Sequence, residues 1–481
     1  MMRPNHVLVV LGAAMLAGGC MVHRVKSDPE PLITPPEAYR AAAGEATASD
    51  RWWKDFGDAG LEASIDRALA GNLDLRRAFA RLLQADALAR QGKATLFPTL
   101  DGSLGVSRTR SNFFAGEPLG KISTTNSLFS ISASAAYEVD VWGKARSTKR
   151  ATAMEREATR QDLESAAAML AANVARAWFS LAEQQSLLAL LDEQLAVSRD
   201  YTDLVRLRFK QGLAGALDVR QQEQQLIELE SQRPQVHSAI AVLRTQLAIL
   251  QGLAPQTEIA LPAGTVAAPP PLPAVGLPAD LLNRRPDLRA ARARVVASDY
   301  RVGIALADRF PSLRLSASTG FQDKSPAELF TSWIWSVVAN LVAPIFDGGR
   351  RKAEVARTRA VLEDNVLAYG QVLLTALKEV EDALAQERYQ LEQMTYLDDL
   401  VGRANLTLDE ARTRYVNGLV DYLPVLSALQ SVQGIERRRI SAGRQLVALR
   451  VDLYRALGAT WTAELARPQP DTQAGADGGA K

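Results

Sequence analysis

One cysteine, Cys20, and three histidines, His6, His23 and His237, are all that 481 residues offer for thiol or imidazole chemistry. That leaves little material for a metal site or a histidine-based active site. An excess of one charge is also missing. The 56 Lys and Arg against 54 Asp and Glu give a net charge of +2, so no electrostatic case for a nucleic-acid partner exists. Mean hydropathy is -0.08, and beyond residue 20 no 18 apolar residues run unbroken, which argues against a transmembrane helix in the mature chain. No nucleotide-binding loop and no paired acids with a plausible pocket are evident. The chain reads as no enzyme, with no metal and no cofactor beyond a covalent lipid considered below.

What is present is a duplication. Asp74, Leu75, Arg76, Ala78, Arg81, Ala94, Phe97, Pro98 and Leu100 recur 213 residues later as Asp287, Leu288, Arg289, Ala291, Arg294, Ala307, Phe310, Pro311 and Leu313. Further on, Arg208-Phe209-Lys210-Gln211-Gly212-Leu213 recurs 206 residues later as Arg414-Tyr415-Val416-Asn417-Gly418-Leu419. A period near 210 is too long for a solenoid and marks a duplicated half.

The start of the chain has the layout of a secretory signal: Met1-Met2-Arg3, an apolar stretch from Val7 to Ala17, then Gly18, Gly19 and Cys20. It resembles a bacterial lipobox, with the departure that Leu16 stands four before the cysteine and Ala17 takes the usual leucine place. Residues 1–19 are then a lipoprotein signal peptide, Cys20 the acylated N-terminus, and residues 20–50 a tether. Acyl chains would anchor the chain without spanning. Met21 in second place resembles cargo sent to the outer membrane. The other reading is a plain secretory signal with an incidental thiol.

Between Lys144 and Phe209 there is neither proline nor glycine, and apolar residues recur at helical spacing. The copy, Arg350 to Tyr415, has no proline and only Gly370 and Gly402 inside. Each 66-residue run would be roughly 100 Å long at ~1.5 Å per residue. Small residues spread through both runs suit packing on two sides, as in a wall of helices; a soluble coiled coil is the alternative. Shorter helices are expected at Asp74–Ala94, Asp287–Ala307, Val219–Leu250 and Val425–Leu457.

Before each long helix the period changes to 2. Phe129, Ile131, Ala133, Ala135, Tyr137 and Val139 alternate with Ser130, Ser132, Ser134, Ala136 and Glu138. Strands are expected at about 99–109 and 127–141, joined by a loop around Ser111 to Asn126, and again at about 312–321 and 332–343. Such segments suit a transmembrane β-barrel, with Trp333 and Trp335 in the interfacial aromatic girdle. A small soluble sheet is the alternative. Four strands leave two open edges, which lipid cannot satisfy, so a membrane barrel would need several subunits: two would give 8 strands, three 12.

Trp52-Trp53-Lys54-Asp55-Phe56-Gly57-Asp58, Asn283-Arg284-Arg285-Pro286-Asp287-Leu288, the two Phe-Pro pairs, Trp142-Gly143-Lys144, Phe346-Asp347-Gly348-Gly349-Arg350, Arg414-Tyr415-x-x-Gly418-Leu419 and Tyr422-Leu423-x-Val425-Leu426 occur in this order. Together they resemble the TolC-like outer-membrane factors, in their NodT-type efflux lipoprotein branch, over about residues 50 to 460. The resemblance implies a mainly helical fold with a membrane β part. It would be a homotrimer in which four strands per chain build a shared 12-stranded barrel that continues into a periplasmic helical tunnel. The implied partners are outer-membrane lipid, a periplasmic adaptor and an inner-membrane pump, here of the resistance-nodulation-division type.

On that resemblance, residues 51–252 are the first repeat, 253–280 a proline-rich crossover in the equatorial region, 281–460 the second repeat and 466–481 a disordered tail. The long helices end at Gln211–Gly215 and Asn417–Val420, the implied periplasmic tip. Gate candidates are Leu419 and Val420 as an apolar constriction, Asp421 and Asp218 as acids, and Tyr415 as a helix tie. Adaptor contacts would come from Arg208, Gly212, Leu213, Arg414, Gly418 and Leu419. The chain departs from members with further aspartates after the second turn, having Pro424 and Ser427 there. Rival functions are a type I secretion duct and a structural periplasmic lipoprotein.

Overall fold

The computed structural model describes residues 22–40, 50–114, 121–262, 264, 268–458 and 461–465. Cys20, the signal peptide and the tail at 466–481 lie outside them. A single 3-10 turn, Trp52–Phe56, precedes helices α1 (Ala59–Gly71) and α2 (Leu73–Ala94). Strands β1 (Thr99–Phe114) and β2 (Lys121–Val139), the long helix α3 (Lys144–Lys210) and its return α4 (Ala216–Leu250) complete the first half. The second half repeats this as α5 (Pro286–Ala307), β3 (Ser312–Asp323), β4 (Trp333–Val342), α6 (Arg350–Val416) and α7 (Leu423–Leu457). No described helix is long and apolar enough to cross a membrane. The described residues of 253–277 contain no helix.

Two compact units result. One comprises the described residues of Met1–Leu32, Leu83–Thr159 and Ala291–Tyr369, and contains the sheet. Its strands run antiparallel in the order β1-β2-β3-β4. The first hairpin exceeds the sequence expectation. Residues 111–114 and 121–126, which read as loop because they are rich in Ser, Thr and Asn, are paired strand, with Ser111 opposite Thr124 and Asn112 opposite Ser123. Cross-strand hydroxyl and amide contacts, including Ser123 Oγ to Asn112 Oδ1 at 2.6 Å, replace the apolar alternation that sequence reading relies on.

At the foot of this sheet Trp142 stacks on Phe310 with ring centres 4.8 Å apart, and its indole N–H donates to the Pro311 carbonyl at 2.7 Å. Part of the segment expected to act as a tether, at His23 and Lys26, is docked on α5. His23 meets the buried Asp299 at 2.5 Å, and the Lys26 backbone N–H donates to the other carboxylate oxygen at 3.1 Å.

The second unit comprises the described residues of Ile33–Leu82, Arg160–Ala290 and Gly370–Lys481. Its core gathers Trp52, Trp53 and Phe56 with Leu61 and Ile65 of α1, Trp178 and Phe179 of α3, Leu247 of α4 and Val447, Val451 and Tyr454 of α7. Asp58 caps α1 through the Leu61 N–H at 3.0 Å and also accepts from the Trp178 indole at 2.7 Å, tying the helix start to the core. The end of α4 crosses the end of α1 backbone to backbone. A Cβ on Gly252 would lie 2.2 Å from the Gly71 carbonyl oxygen, and one on Gly71 2.3 Å from that of Gln251. Gly252 also holds φ at 75°. Gly252→Val is therefore expected to lose about 1–3 kcal/mol to backbone strain before the clash is counted. A thermal unfolding midpoint unchanged from the parent would contradict this crossing.

Candidate functional site

The long helices end in the same way twice. At the end of α3, Leu213 N–H donates to the Arg208 carbonyl at 2.8 Å and Gly212 N–H to that of Phe209 at 3.0 Å. At the end of α6, Leu419 N–H donates to the Arg414 carbonyl at 2.9 Å and Gly418 N–H to that of Tyr415 at 3.0 Å. Both are Schellman caps, and both glycines sit at positive φ, 72° and 73°. The motif throws the next residue outward: Leu213 and Leu419 are 60% and 73% exposed.

The two turns differ beyond the cap. After the first, the Asp218 carboxylate accepts from the Gly215 N–H at 2.9 Å and starts α4. After the second, Pro424 in the first turn of α7 replaces that acid. Tyr415 and Tyr422 are buried with Tyr201, Val205, Val425, Leu426 and Leu429, and Val420 packs partly against them. Val420, expected at a constriction with Leu419, thus spends part of its surface on its own chain's cluster. Asp421 is exposed.

Arg208 bridges the two helix ends. Its guanidinium stacks over the Tyr415 ring at 4.5 Å and donates to the Val416 carbonyl at 3.2 Å, where a helix C-terminus welcomes positive charge. The Tyr415 hydroxyl is buried with no acceptor or donor in good geometry. Burial pushes it above the usual tyrosine range; Arg208 opposes that rise and Asp218 adds to it. Arg414 is exposed and pairs with Glu410 on its own helix at 2.6 Å.

Sequence reading missed an amide network just beyond the tyrosines, buried at Gln222, Gln225 and Gln433. The Tyr422 hydroxyl donates to Gln222 Oε1, while Gln222 Nε2 donates to the Ser198 carbonyl at 2.8 Å. Gln225 Nε2 donates to Gln433 Oε1 at 3.0 Å, and Gln430 Nε2 to Gln225 Oε1 at 2.6 Å. The signal was available: Gln222 and Gln225 stand three apart and share a face of α4.

The sheet has its own two-sided chemistry. Residues paired across strands share a face. One face carries the rows Leu104, Ile131, Phe321, Trp333 and Leu100, Ala135, Ala317, Val337, continued by Tyr137, Leu315, Ala339 and by Val139, Leu313, Leu341. The opposite face carries Asp101, Ser134, Ser318, Ser336, with Ser103 and Ser132 joined at 2.7 Å and Ser318 and Ser336 at 2.9 Å. Trp333 and Trp335 are 63% and 66% exposed on the apolar face, and Trp333 donates its indole N–H to Thr319 at 2.9 Å. All ten residues of β4 are exposed, and β1 and β4 each keep an unpaired edge. Among the described residues no three His, Cys, Asp or Glu side chains converge as a metal site would need.

Comparison with known proteins places this architecture. The outer membrane efflux protein family matches residues 64–253 and 277–459, one stretch in each half. The chain is 32% identical to the pyoverdine export outer membrane protein OpmQ of Pseudomonas aeruginosa, over 95% of this chain and 97% of that one. It is 29% identical to the toluene efflux pump outer membrane protein TtgI of Pseudomonas putida, over 94% and 97%. Its fold superposes on the outer-membrane channel OprN with a TM-score of 0.82 at 26% identity, covering 90% of this chain and 99% of OprN. With both repeats matched and most of its length covered, the chain belongs to the outer membrane efflux protein family.

Proposed function

We propose that this chain forms the exit duct of a tripartite efflux system. Three copies share one 12-stranded barrel in the outer membrane, and their helices reach into the periplasm. There they meet an adaptor and an inner-membrane pump of the resistance-nodulation-division type, and solutes pass without chemistry. A lipid on Cys20 fastens each N-terminus to the membrane. The sheet is the observation that carries this reading. Its apolar face needs a nonaqueous neighbour, its serine-rich face suits water, and its open edges need strands that lipid cannot provide. The relatives' names, pyoverdine export and toluene efflux, favour small solutes over the polypeptides of a type I secretion duct.

Purified protein should migrate as a heat-dissociable trimer on unboiled gels and open pores in planar bilayers. A strain lacking it should accumulate a small-molecule efflux substrate. Pore-free monomers would instead mark a structural lipoprotein, and retention of an exported polypeptide a secretion duct. Palmitate labelling lost in Cys20→Ala checks the anchor.

The gate in this reading is the pair of helix turns, where Leu419, Asp421 and Leu213 are exposed and Arg208 clasps the end of α6. Asp421 and Asp218, repeated by three copies, would favour cations. The same turns, with Arg414, Gly212 and Gly418, would meet the adaptor. Removing the clasp by Arg208→Ala, alone or with Asp218→Ala, is expected to raise single-channel conductance severalfold. Conductance equal to the parent's would move the gate elsewhere.

A further inference from the structure

We infer that copies of this chain join through β4 of one and β1 of the next in a single register, the one that already joins β2 to β3 within the chain. The inference rests on the shared-barrel reading and adds to it which residues face each other. The duplication of the chain dictates it. β1 repeats as β3 with the 213-residue offset that takes Phe97-Pro98 to Phe310-Pro311. β2 repeats as β4 with the 206-residue offset that takes Gly212 to Gly418, since Thr99 faces Ala136 and Ser312 faces Val342.

The β2–β3 seam is where the first half meets the second. A closed ring of halves needs the same seam from the second half of one copy to the first half of the next. Ala135 opposite Ala317 becomes Leu341 opposite Leu104; Ala136 opposite Ser316 becomes Val342 opposite Ser103. At the two ends, Phe129 opposite Asp323 becomes Trp335 opposite Arg110, and Val139 opposite Leu313 becomes Ile345 opposite Leu100.

Three features of the seam agree with it. First, the register keeps the faces together, with Ala339 and Leu341 beside Val106 and Leu104, and Val337 and Trp335 beside the long side chains of Arg108 and Arg110; a one-residue slip would set them beside the hydroxyl-rich side of β1. Second, exposed apolar residues meet: Leu104 and Leu341 are 77% and 69% exposed, Leu100 and Ile345 79% and 98%. Third, every residue of β4 finds a partner, since Trp333–Val342 falls opposite 112 down to 103, inside the limits of β1. The seam also extends past the present end of β4, so Ile345 joins the sheet once a neighbour is in place. Pro344 brings no N–H to that stretch.

Cysteine pairs in the full-length, membrane-assembled protein test the register, with the parent carrying Cys20 alone as control. Leu341→Cys with Leu104→Cys, and Val342→Cys with Ser103→Cys, cover both classes of facing pair. Leu341→Cys with Gly102→Cys or with Val106→Cys report slips of two residues, which keep the faces but lie beyond easy disulfide reach. Oxidation should link copies covalently in the facing pairs about tenfold more than in the slipped pairs. Preferential linking of a slipped pair, or no linking in any pair while trimers persist on unboiled gels, overturns the register and leaves the shared barrel standing. A parent that never forms a heat-dissociable oligomer overturns the shared barrel itself, and the register with it.

Discussion

Arg450→Ala is expected to destabilise the fold by about 3–5 kcal/mol, the cost of leaving a buried charge without its partner. Arg450 on α7 and Glu387 on α6 have side chains 4% and 2% exposed. They form a two-pronged pair, with Arg450 Nε donating to Glu387 Oε2 at 3.1 Å and Nη2 to Oε1. The remaining guanidinium nitrogen, Nη1, donates to the Pro270 carbonyl of the proline-rich crossover. Alanine strands Glu387 and takes from the crossover a donor that holds it. The double replacement Arg450→Met with Glu387→Leu removes both charges and should recover most of the loss. Denaturant midpoints of the detergent-solubilised protein separate the cases. Equal losses in the single and double variants would show that packing, not charge, holds this junction.

Trp53→Ala is the second large effect, about 3–5 kcal/mol from cavity formation and lost transfer energy. Trp53 is 1% exposed, edge-on to Trp461 at 4.9 Å and to Trp52 at 5.6 Å. Trp52 in turn stacks on Tyr454 at 5.6 Å. The 3-10 turn therefore inserts two indoles into a core built with residues of α1, α2, α3, α4 and α7 and with Trp461. Trp53→Phe should retain part of the stability. Trp333→Ala on the exposed face of β4 should leave the helical core untouched. A Trp53→Ala unfolding midpoint matching that of Trp333→Ala would refute the assignment.

These cases mark what the sequence can and cannot disclose. Helix α3 was legible because nothing in Lys144–Phe209 breaks a helix, and α6 absorbs Gly370 and Gly402 without ending. Pro234 inside α4 gave no interruption either. β2 was legible from Phe129 onward because apolar and hydroxyl residues alternate there; its beginning was hidden because Thr124, Thr125 and Asn126 are polar on both faces. At the helix turns the glycines announced the caps. What they could not announce was partnership: that Arg208 reaches the end of α6, or that Val420 packs partly against a cluster that also draws Tyr201 and Val205 from α3. Arg208 and Val416 stand 208 positions apart, and local spacing carries no record of a contact between the halves.

The amide network beside the tyrosines has a consequence for life outside the cytoplasm. Small solutes and protons equilibrate across an outer membrane, so a periplasmic structure experiences the acidity of the surroundings. Gln222, Gln225, Gln430 and Gln433 have no proton to gain or lose in that range, unlike a carboxylate-based lock. Burial pushes the Tyr422 hydroxyl above its ordinary value, ahead of the contributions from Tyr201, Tyr415 and Asp218. Its share of stability is fully present below about pH 10 and is lost only as pH rises through its higher folded value. The amide and phenol contacts that join α4 to α7 thus contain no group that gains a proton as the surroundings turn acid.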